Sequence, residues 1–374
     1  MRLRDIDILS INKKVDLTVV VTVVLLVAYS IVMVYSATQS NAATNEDAYF
    51  FIKKQLVALI IGIAALLLAA LANYNRWRNS YILLYMLNIL MLILVLFLGA
   101  EHKGAQSWIE IGGLQLQPSE ISKVLLIITL ASFFATRRNQ LVGVGDVLLA
   151  LAHISLPLVL VLIQPDLGTA LCYIAILIGM MLVAGFPARY FGYIAIAGSL
   201  LMLVAIKFNF LKEYQINRLT VFVNPSNDPQ GAGYNLLQSK IAIGSGQFSG
   251  KGLLSGTQAK LQFLPERHTD FIFSVVGEEL GFLGTAFLLI LFFALIMRGL
   301  RTAAYSKNYF GTLLVTGVVS LWLFQVIVNI GMTIGLMPIT GIPLPFMSYG
   351  NSSLISHLAA VGVLLNVYAR RYSQ

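Results

Sequence analysis

The sequence predicts an all-α polytopic membrane protein of about ten transmembrane helices, with a long extracytoplasmic loop between spans seven and eight. Three observations carry this reading. The 374-residue chain is 58% hydrophobic and 11% charged, against roughly 25% charged in an average soluble domain. Its mean hydropathy is +0.83. Its apolar residues fall in uninterrupted runs near the roughly 20 residues a bilayer span needs. A soluble globular enzyme, a disordered chain and a disulfide scaffold are thereby excluded. The single cysteine, Cys172, lies inside an apolar run and can form no intrachain disulfide. The net charge of +9 implies no nucleic-acid partner, because the positive-inside rule already requires a basic excess.

Ten segments qualify as spans: Leu17–Ser36, Ile52–Ala72, Tyr81–Leu98, Ile121–Ala135, Val147–Ile163, Gly168–Gly185, Tyr190–Phe208, Phe271–Met297, Gly311–Gly335 and Ser353–Val367. The first has a basic flank, but its run is longer than the 7–15 residues typical of a signal-peptide core, so it reads as an uncleaved span. The fourth is short, and its polar start allows it to begin as early as Pro118. An even number of spans puts both termini on one side. One set of loops carries Arg2, Arg4, Lys13, Lys14, Arg76, Arg78, Arg137, Arg138, Arg189, Arg298, Arg301, Lys307, Arg370 and Arg371; the short loops opposite carry Lys53, Lys54 and Lys103. The first set, with both termini, is therefore cytoplasmic. Residues 1–374 form a single integral membrane domain. No internal repeat suggests the pseudo-symmetry of a transporter.

The loop over residues 209–270 is the anomaly, since long connections without low complexity are commonly functional. Tyr234–Ile243 within it reads as a short amphipathic helix. Gly250-Lys251 invites a phosphate-loop reading, which fails because Ser245 stands where a glycine is required and Gly252 where Ser or Thr is. The loop ends in Leu264-Pro-Glu-Arg-His-Thr-Asp-Phe-Ile-Phe273, where Glu266, Arg267, His268 and Asp270 meet the start of the eighth span. Asp270 is expected in the first turn of that helix, a carboxylate at the interface that is either a polar boundary or a functional group facing a lipid-linked head group.

Other polar groups mark the spans. Glu120 and Lys123 are three apart at the start of the fourth span and share a helix face, as a structural ion pair or as the lining of a polar cavity for an anionic substrate. Asp166 reads as the cap of the sixth span or else a site residue, and Trp108 as an interfacial aromatic. At least one of Glu278 and Glu279 must face the bundle interior, and Gln325 and Asn329 are placed for interhelical hydrogen bonds. Three prolines between Met337 and Ser353 forbid a regular helix, so this apolar stretch reads as irregular backbone buried at membrane depth. His153 and His357 read as satisfied helix residues, and the four histidines show no metal-ligand spacing.

Together these residues resemble the SEDS family (shape, elongation, division and sporulation; FtsW/RodA/SpoVE). The motifs are Gly104-Ala-Gln-Ser-Trp108, Gln117-Pro-Ser-Glu120 with Lys123, Gln164-Pro-Asp-Leu-Gly168, Asn224-Pro225 with Asp228-Pro229, Gly231-Ala-Gly-Tyr234, Gln238-Ser239, Ile243-Gly-Ser-Gly246, the Leu264–Phe273 run, Gly277-Glu-Glu-Leu-Gly281, and Pro343-Leu-Pro with Ser348-Tyr-Gly350. Arg267 and the Gly250–Gln258 stretch look like the rod-elongation branch rather than the division branch. Asn351 departs from the family's usual second glycine.

The resemblance implies a peptidoglycan glycosyltransferase. Such an enzyme polymerises lipid II on the outer face of the bacterial cytoplasmic membrane, alongside a class B penicillin-binding protein and other membrane proteins of the elongation machinery. The family's essential aspartate corresponds to Asp270. Arg218, Arg267, Lys240, Glu120, Lys123, Trp108, Gln238 and Ser348 are the expected substrate-binding residues, with Arg218 and Arg267 suited to clamp phosphate oxygens. No cofactor is implied, although a divalent cation could assist departure of the pyrophosphate. A lipid II flippase and a non-catalytic scaffold stay open as alternatives.

Overall fold

The structure, a computed structural model, describes residues 15–39, 49–102, 105–111, 114–138, 143–208, 213–225, 228–229 and 231–371. Arg2, Arg4, Lys13, Lys14, Lys103 and Gly104 lie outside these residues. Among the described residues, ten helices are long and apolar enough to cross a membrane: α1 (Leu17–Thr38), α2 (Phe50–Leu71), α4 (Tyr81–Leu98), α5 (Pro118–Thr136), α6 (Val144–Ile163), α7 (Leu167–Ala184), α8 (Ala188–Lys207), α12 (Ile272–Tyr305), α13 (Tyr309–Ile334) and α14 (Asn351–Ala369). A short helix, α3 (Tyr74–Asn79), precedes α4.

Burial sorts these helices into a centre and a rim. The most apolar stretches of α5 and α14 are 78% buried and that of α13 is 72%, whereas α8 is 6% buried. The two most buried spans are also the least apolar, with mean hydropathy 1.5 against 2.8 for α1. The cause is the neighbour each side chain meets. A lipid-facing side chain must be apolar, while an interior helix can carry Ser, Thr, Asn and Gln that bond across to its neighbours. Thus Ser356 on α14 donates to the Glu120 carbonyl on α5 (2.8 Å), and Asn366 donates to Ala69 and Ala72 carbonyls at the end of α2 (2.6 and 2.7 Å). The short fourth span of the sequence reading is this central α5, and it begins at Pro118. Asp16 caps α1 through the Thr18 and Val19 amides. It also accepts from Arg298 Nη2 (2.8 Å) and, on both oxygens, from Arg298 Nε (3.0 and 3.2 Å), which pins α1 to the far end of α12.

The connection before α5 is not plain loop. It forms a three-stranded antiparallel sheet in the order β1 (Ala100–His102), β2 (Ala105–Ile111), β3 (Leu114–Leu116). An all-helical reading did not anticipate it. The sheet pairs Ala100 with Trp108 and Ile109 with Leu116, and Ser107 Oγ donates to the Gln164 carbonyl (3.2 Å). Trp108 is thereby held over the start of α5 and α7.

The long loop contains α9 (Glu213–Val223), α10 (Ala232–Ser245) and α11 (Thr257–Lys260). Asp228 caps the turn into α10 by accepting from the Gly231 and Ala232 amides (2.9 and 2.8 Å). The glycine-rich stretch after α10 packs tightly on α12. Gly281 breaks that helix, with φ +61° and ψ −154°. The backbone groups the break frees are taken up by the loop: the Lys251 and Gly252 amides donate to the Glu278 and Glu279 carbonyls (3.0 and 2.9 Å), and the Phe282 and Leu283 amides donate to Gln247 and Phe248 (2.9 and 3.2 Å). A side chain on Gly281 would collide with the backbone of Gly250, Gly246 and Phe248. Both carboxylates just before the break turn inward. Glu278 accepts from Lys251 Nζ (2.7 Å), Thr257 and Gln258, and Glu279 accepts from Ser36 Oγ (2.6 Å) and the Leu254 amide. Lys251 is therefore spent on the scaffold.

Between α13 and α14 the chain runs without helix from Leu336 to Gly350, and Ile342, Leu344, Phe346 and Met347 are buried within it. This is the irregular buried backbone expected from the three prolines. Asn329 on α13 supports it by donating to the Ile342 carbonyl (2.8 Å). Gln325, one turn earlier, is fully buried and its amide has no partner among the described residues.

Candidate functional site

A cavity of about 540 Å³ opens where the first turns of α5, α7 and α14 meet the turn before α12 and the irregular segment. Five of the sequence-predicted residues line it: Asp270, Arg218, Glu120, Lys123 and Trp108. Their chain segments are far apart in sequence and meet only through the bundle.

Asp270 does not sit in the first turn of its helix. Phe271 is the N-cap and α12 begins at Ile272, so the aspartate belongs to the preceding turn. That turn closes on itself, since the Thr269 and Phe271 amides both donate to the Glu266 carbonyl (3.1 and 3.2 Å). It is then held from the irregular segment. Ser348 Oγ donates to the Thr269 carbonyl (2.6 Å), and the Tyr349 amide donates to the His268 carbonyl (2.8 Å). Asn329 donates to the Asp270 carbonyl from below (3.0 Å). Asp270 itself lines the cavity. Gly341, at φ +72°, lies beneath its carboxylate. A Cβ there would stand 3.5 Å from Asp270 Oδ2 and 3.3 Å from Arg218 Nη1, so an acid and a guanidinium flank one bare glycine. Arg218 reaches this place from α9 and donates to the Thr340 carbonyl (3.2 Å).

On the opposite wall Lys123 Nζ lies 2.6 Å from Glu120 Oε1, and the two side chains are 1% and 4% exposed. Asp166 lines the same wall. It caps α7 through the Thr169 amide (2.9 Å) and also accepts from Gln117 Nε2 and Ser119 Oγ (3.0 and 3.2 Å), tying α5 to α7. Cap and cavity residue are one and the same here. Lys54, His268 and Glu266 also face the cavity and were not singled out as binding residues from the sequence. The signal for Lys54 was weak, a lysine at the start of an apolar run. His268 packs against Phe51 and Tyr349, with ring centroids 4.7 and 5.6 Å away. The lining holds three cations, Lys54, Lys123 and Arg218, against four carboxylates, Glu120, Asp166, Glu266 and Asp270. Carboxylates therefore outnumber cations in the lining.

Four expected residues lie elsewhere. Arg267 is 8% exposed and its Nε donates to the Ala37 carbonyl at the end of α1 (2.6 Å), away from the cavity. Burial lowers its pKa, opposed by the neighbouring Glu266. Ser348 is a brace for the Asp270 turn, accepting from the Leu344 amide (2.8 Å) as well as donating to Thr269. Lys240 lies on α10 against Gly335, at the end of α13, and Gln238 is half-buried on α10. No group of three or more His, Cys, Asp or Glu with metal-site geometry occurs among the described residues.

The sequence matches the FtsW/RodA/SpoVE model, described as a cell cycle protein, over residues 16–373. It is 39% identical to the probable peptidoglycan glycosyltransferase FtsW of Trichlorobacter lovleyi, covering 95% of this chain and 93% of that one. It is 36% identical to the peptidoglycan glycosyltransferase MrdB of Escherichia coli K12, with 95% and 94% covered. Among solved structures it resembles a chain from a study of how a peptidoglycan synthase complex coordinates polymerization and crosslinking (TM-score 0.81, 32% identity, 96% and 99% covered). It also resembles the rod shape determining protein RodA of Thermus thermophilus (TM-score 0.71, 31% identity, 96% and 98% covered). With a helical bundle of the same shape and a match along nearly its whole length, the chain belongs to the FtsW/RodA/SpoVE family of SEDS membrane proteins.

Proposed function

We propose that the chain is a peptidoglycan glycosyltransferase that polymerises lipid II, with Asp270 as its catalytic residue. The observation that carries the reading is the placement of the Asp270 carboxylate and the Arg218 guanidinium on either side of Gly341, inside a cavity at one end of a membrane bundle. The printed names of the relatives supply the reaction class.

The chemistry suits these groups. The donor carries an α-linked pyrophosphate at its anomeric carbon, and the product linkage is β-1,4. A single displacement with inversion therefore suffices. Asp270 takes the proton of the acceptor 4-hydroxyl as that oxygen attacks, and the bond to the polyprenyl diphosphate breaks. Diphosphate leaves without a general acid provided positive charge meets it. Arg218 suits that task because its planar guanidinium binds two phosphate oxygens at once. Lys54, Glu120, Lys123 and Trp108 shape the remainder of the pocket. Loop charge supports an outer-face position for this end of the bundle and cytoplasmic termini. Arg267 and the Gly250–Gln258 stretch favour the elongation branch, and the synthase-complex relative favours a class B penicillin-binding protein as partner.

The test is polymerisation of purified lipid II by Asp270→Asn. The variant keeps size and loses the base, a loss commonly worth about 10²–10⁴-fold in rate. A folded Asp270→Asn protein with wild-type yield would remove Asp270 from the mechanism. A wild type that moves lipid II between leaflets without polymerising it would favour the flippase.

A further inference from the structure

At the opposite end of the same helices lies a second and larger cavity, of about 1050 Å³. Helices α2, α5 and α14 run between the two. Phe50, Glu120 and Asn351 in their first turns line the Asp270 cavity, and Asn73, Arg138 and Arg370 just past their last turns line the second. The 19 residues of α5 separate the two by about 28 Å, close to the hydrocarbon thickness of a bilayer. The second cavity therefore faces the other side of the membrane and is no subsite of the first.

Its chemistry is one-sided. Arg78, Arg138, Lys307 and Arg370 line it, and no Asp or Glu does among the described residues. The floor is aromatic, with Tyr74 and Phe310 buried and their ring centroids 6.0 Å apart. Arg138 stacks over the Tyr309 ring at 4.6 Å, and Arg370 lies over Tyr74 at 5.6 Å. Stacking occupies the face of a guanidinium and leaves its N–H edge for an acceptor. Arg370 is fixed further by donating to the Ala72 carbonyl (2.9 Å) and Asn73 Oδ1 (3.1 Å). The 26-residue α13 starts here, capped by Asn308, so its positive dipole end adds to the same field. The positive-inside bias accounts for basic residues on this face. It does not account for their convergence, from four separate chain segments, on one concavity whose described lining holds no acid.

We propose that this cavity binds a phosphate-bearing anion, a phosphomonoester or phosphodiester, through Arg78, Arg138 and Lys307. The chemistry is shared by the head group of an anionic phospholipid in that leaflet and by soluble phosphate compounds. The two are separated by experiment. The full chain is placed in phosphatidylcholine nanodiscs with increasing phosphatidylglycerol, and separately in detergent with inorganic phosphate or pyrophosphate at constant ionic strength; thermal unfolding is followed in both. Arg78→Gln/Arg138→Gln and the exposed-site variant Lys307→Gln are compared with wild type. A rise in Tm with phosphatidylglycerol, its half-saturation moved about tenfold or more upward in the variants, supports a lipid head group. The same pattern with phosphate or pyrophosphate instead supports a soluble ligand. Absence of protection by any of these probes in wild type overturns the proposal. So does protection that is unchanged in Lys307→Gln and in whichever arginine variant folds. Because the readout is binding, the result is independent of whether lipid II is polymerised.

Discussion

Breaking the Glu120–Lys123 pair one partner at a time tests how the wall of the Asp270 cavity is held. The 2.6 Å pair is almost wholly buried, and Glu120 Oε2 has no partner among the described residues. Lys123→Met leaves a buried carboxylate without its cation, and Glu120→Gln leaves a buried ammonium without its anion. Removing one partner of a buried pair costs roughly 3–5 kcal/mol. At roughly 2.1 cal/mol/K of unfolding entropy per residue, this corresponds to Tm losses of roughly 4–6 °C. The double variant Glu120→Gln/Lys123→Met leaves no charge and is expected to lose less than either single. Thermal unfolding of the three variants in detergent, with wild type as the baseline, reads the coupling. Strictly additive losses would refute the reasoning.

Gly281→Ala puts a side chain at a φ/ψ that costs about 1–3 kcal/mol for residues other than glycine and drives it into the backbone of the 246–252 loop. The expected outcome is a lower Tm together with protease cleavage in that loop; wild-type resistance would show that the kink is not braced by it. The two arginines near Asp270 are expected to separate by assay. Arg218→Lys should lower the initial polymerisation rate about tenfold or more with Tm unchanged, since a point charge cannot make the bidentate contact. Arg267→Lys should lower Tm, because it loses the bond to Ala37. Full activity in Arg218→Lys would remove the clamp.

The spans were legible because hydropathy integrates over many residues, and one misplaced polar group hardly moves the sum. The least apolar spans, α5 and α14, are those at the centre of the bundle. Their polar content answers to neighbouring helices rather than to lipid. The β-sheet was not legible. Its longest strand has seven residues and its outer strands three each, too short for a period to stand out beside a stretch that also reads as a loop.

The site shows the limit more sharply. Arg267 is three residues from Asp270 and shares its motif, so proximity in sequence suggested a common task. Within a closed turn, neighbouring side chains point in different directions, and this one sends Arg267 to α1 and Asp270 to the cavity. The guanidinium that flanks Gly341 together with Asp270 is that of Arg218 on α9, more than fifty residues upstream; it was expected as a phosphate clamp, but no local pattern could indicate its place beside Asp270. The same holds for the glycine run at Gly246–Gly256. As sequence it reads as a turning loop. In the fold those glycines allow the loop to lie backbone against backbone on a broken helix, replacing the hydrogen bonds that Gly281 forfeits. Loop and kink require each other, and together they fix the first turns of α12, to which the Asp270 turn is joined. The placement of the carboxylate therefore rests on glycines that never touch the cavity.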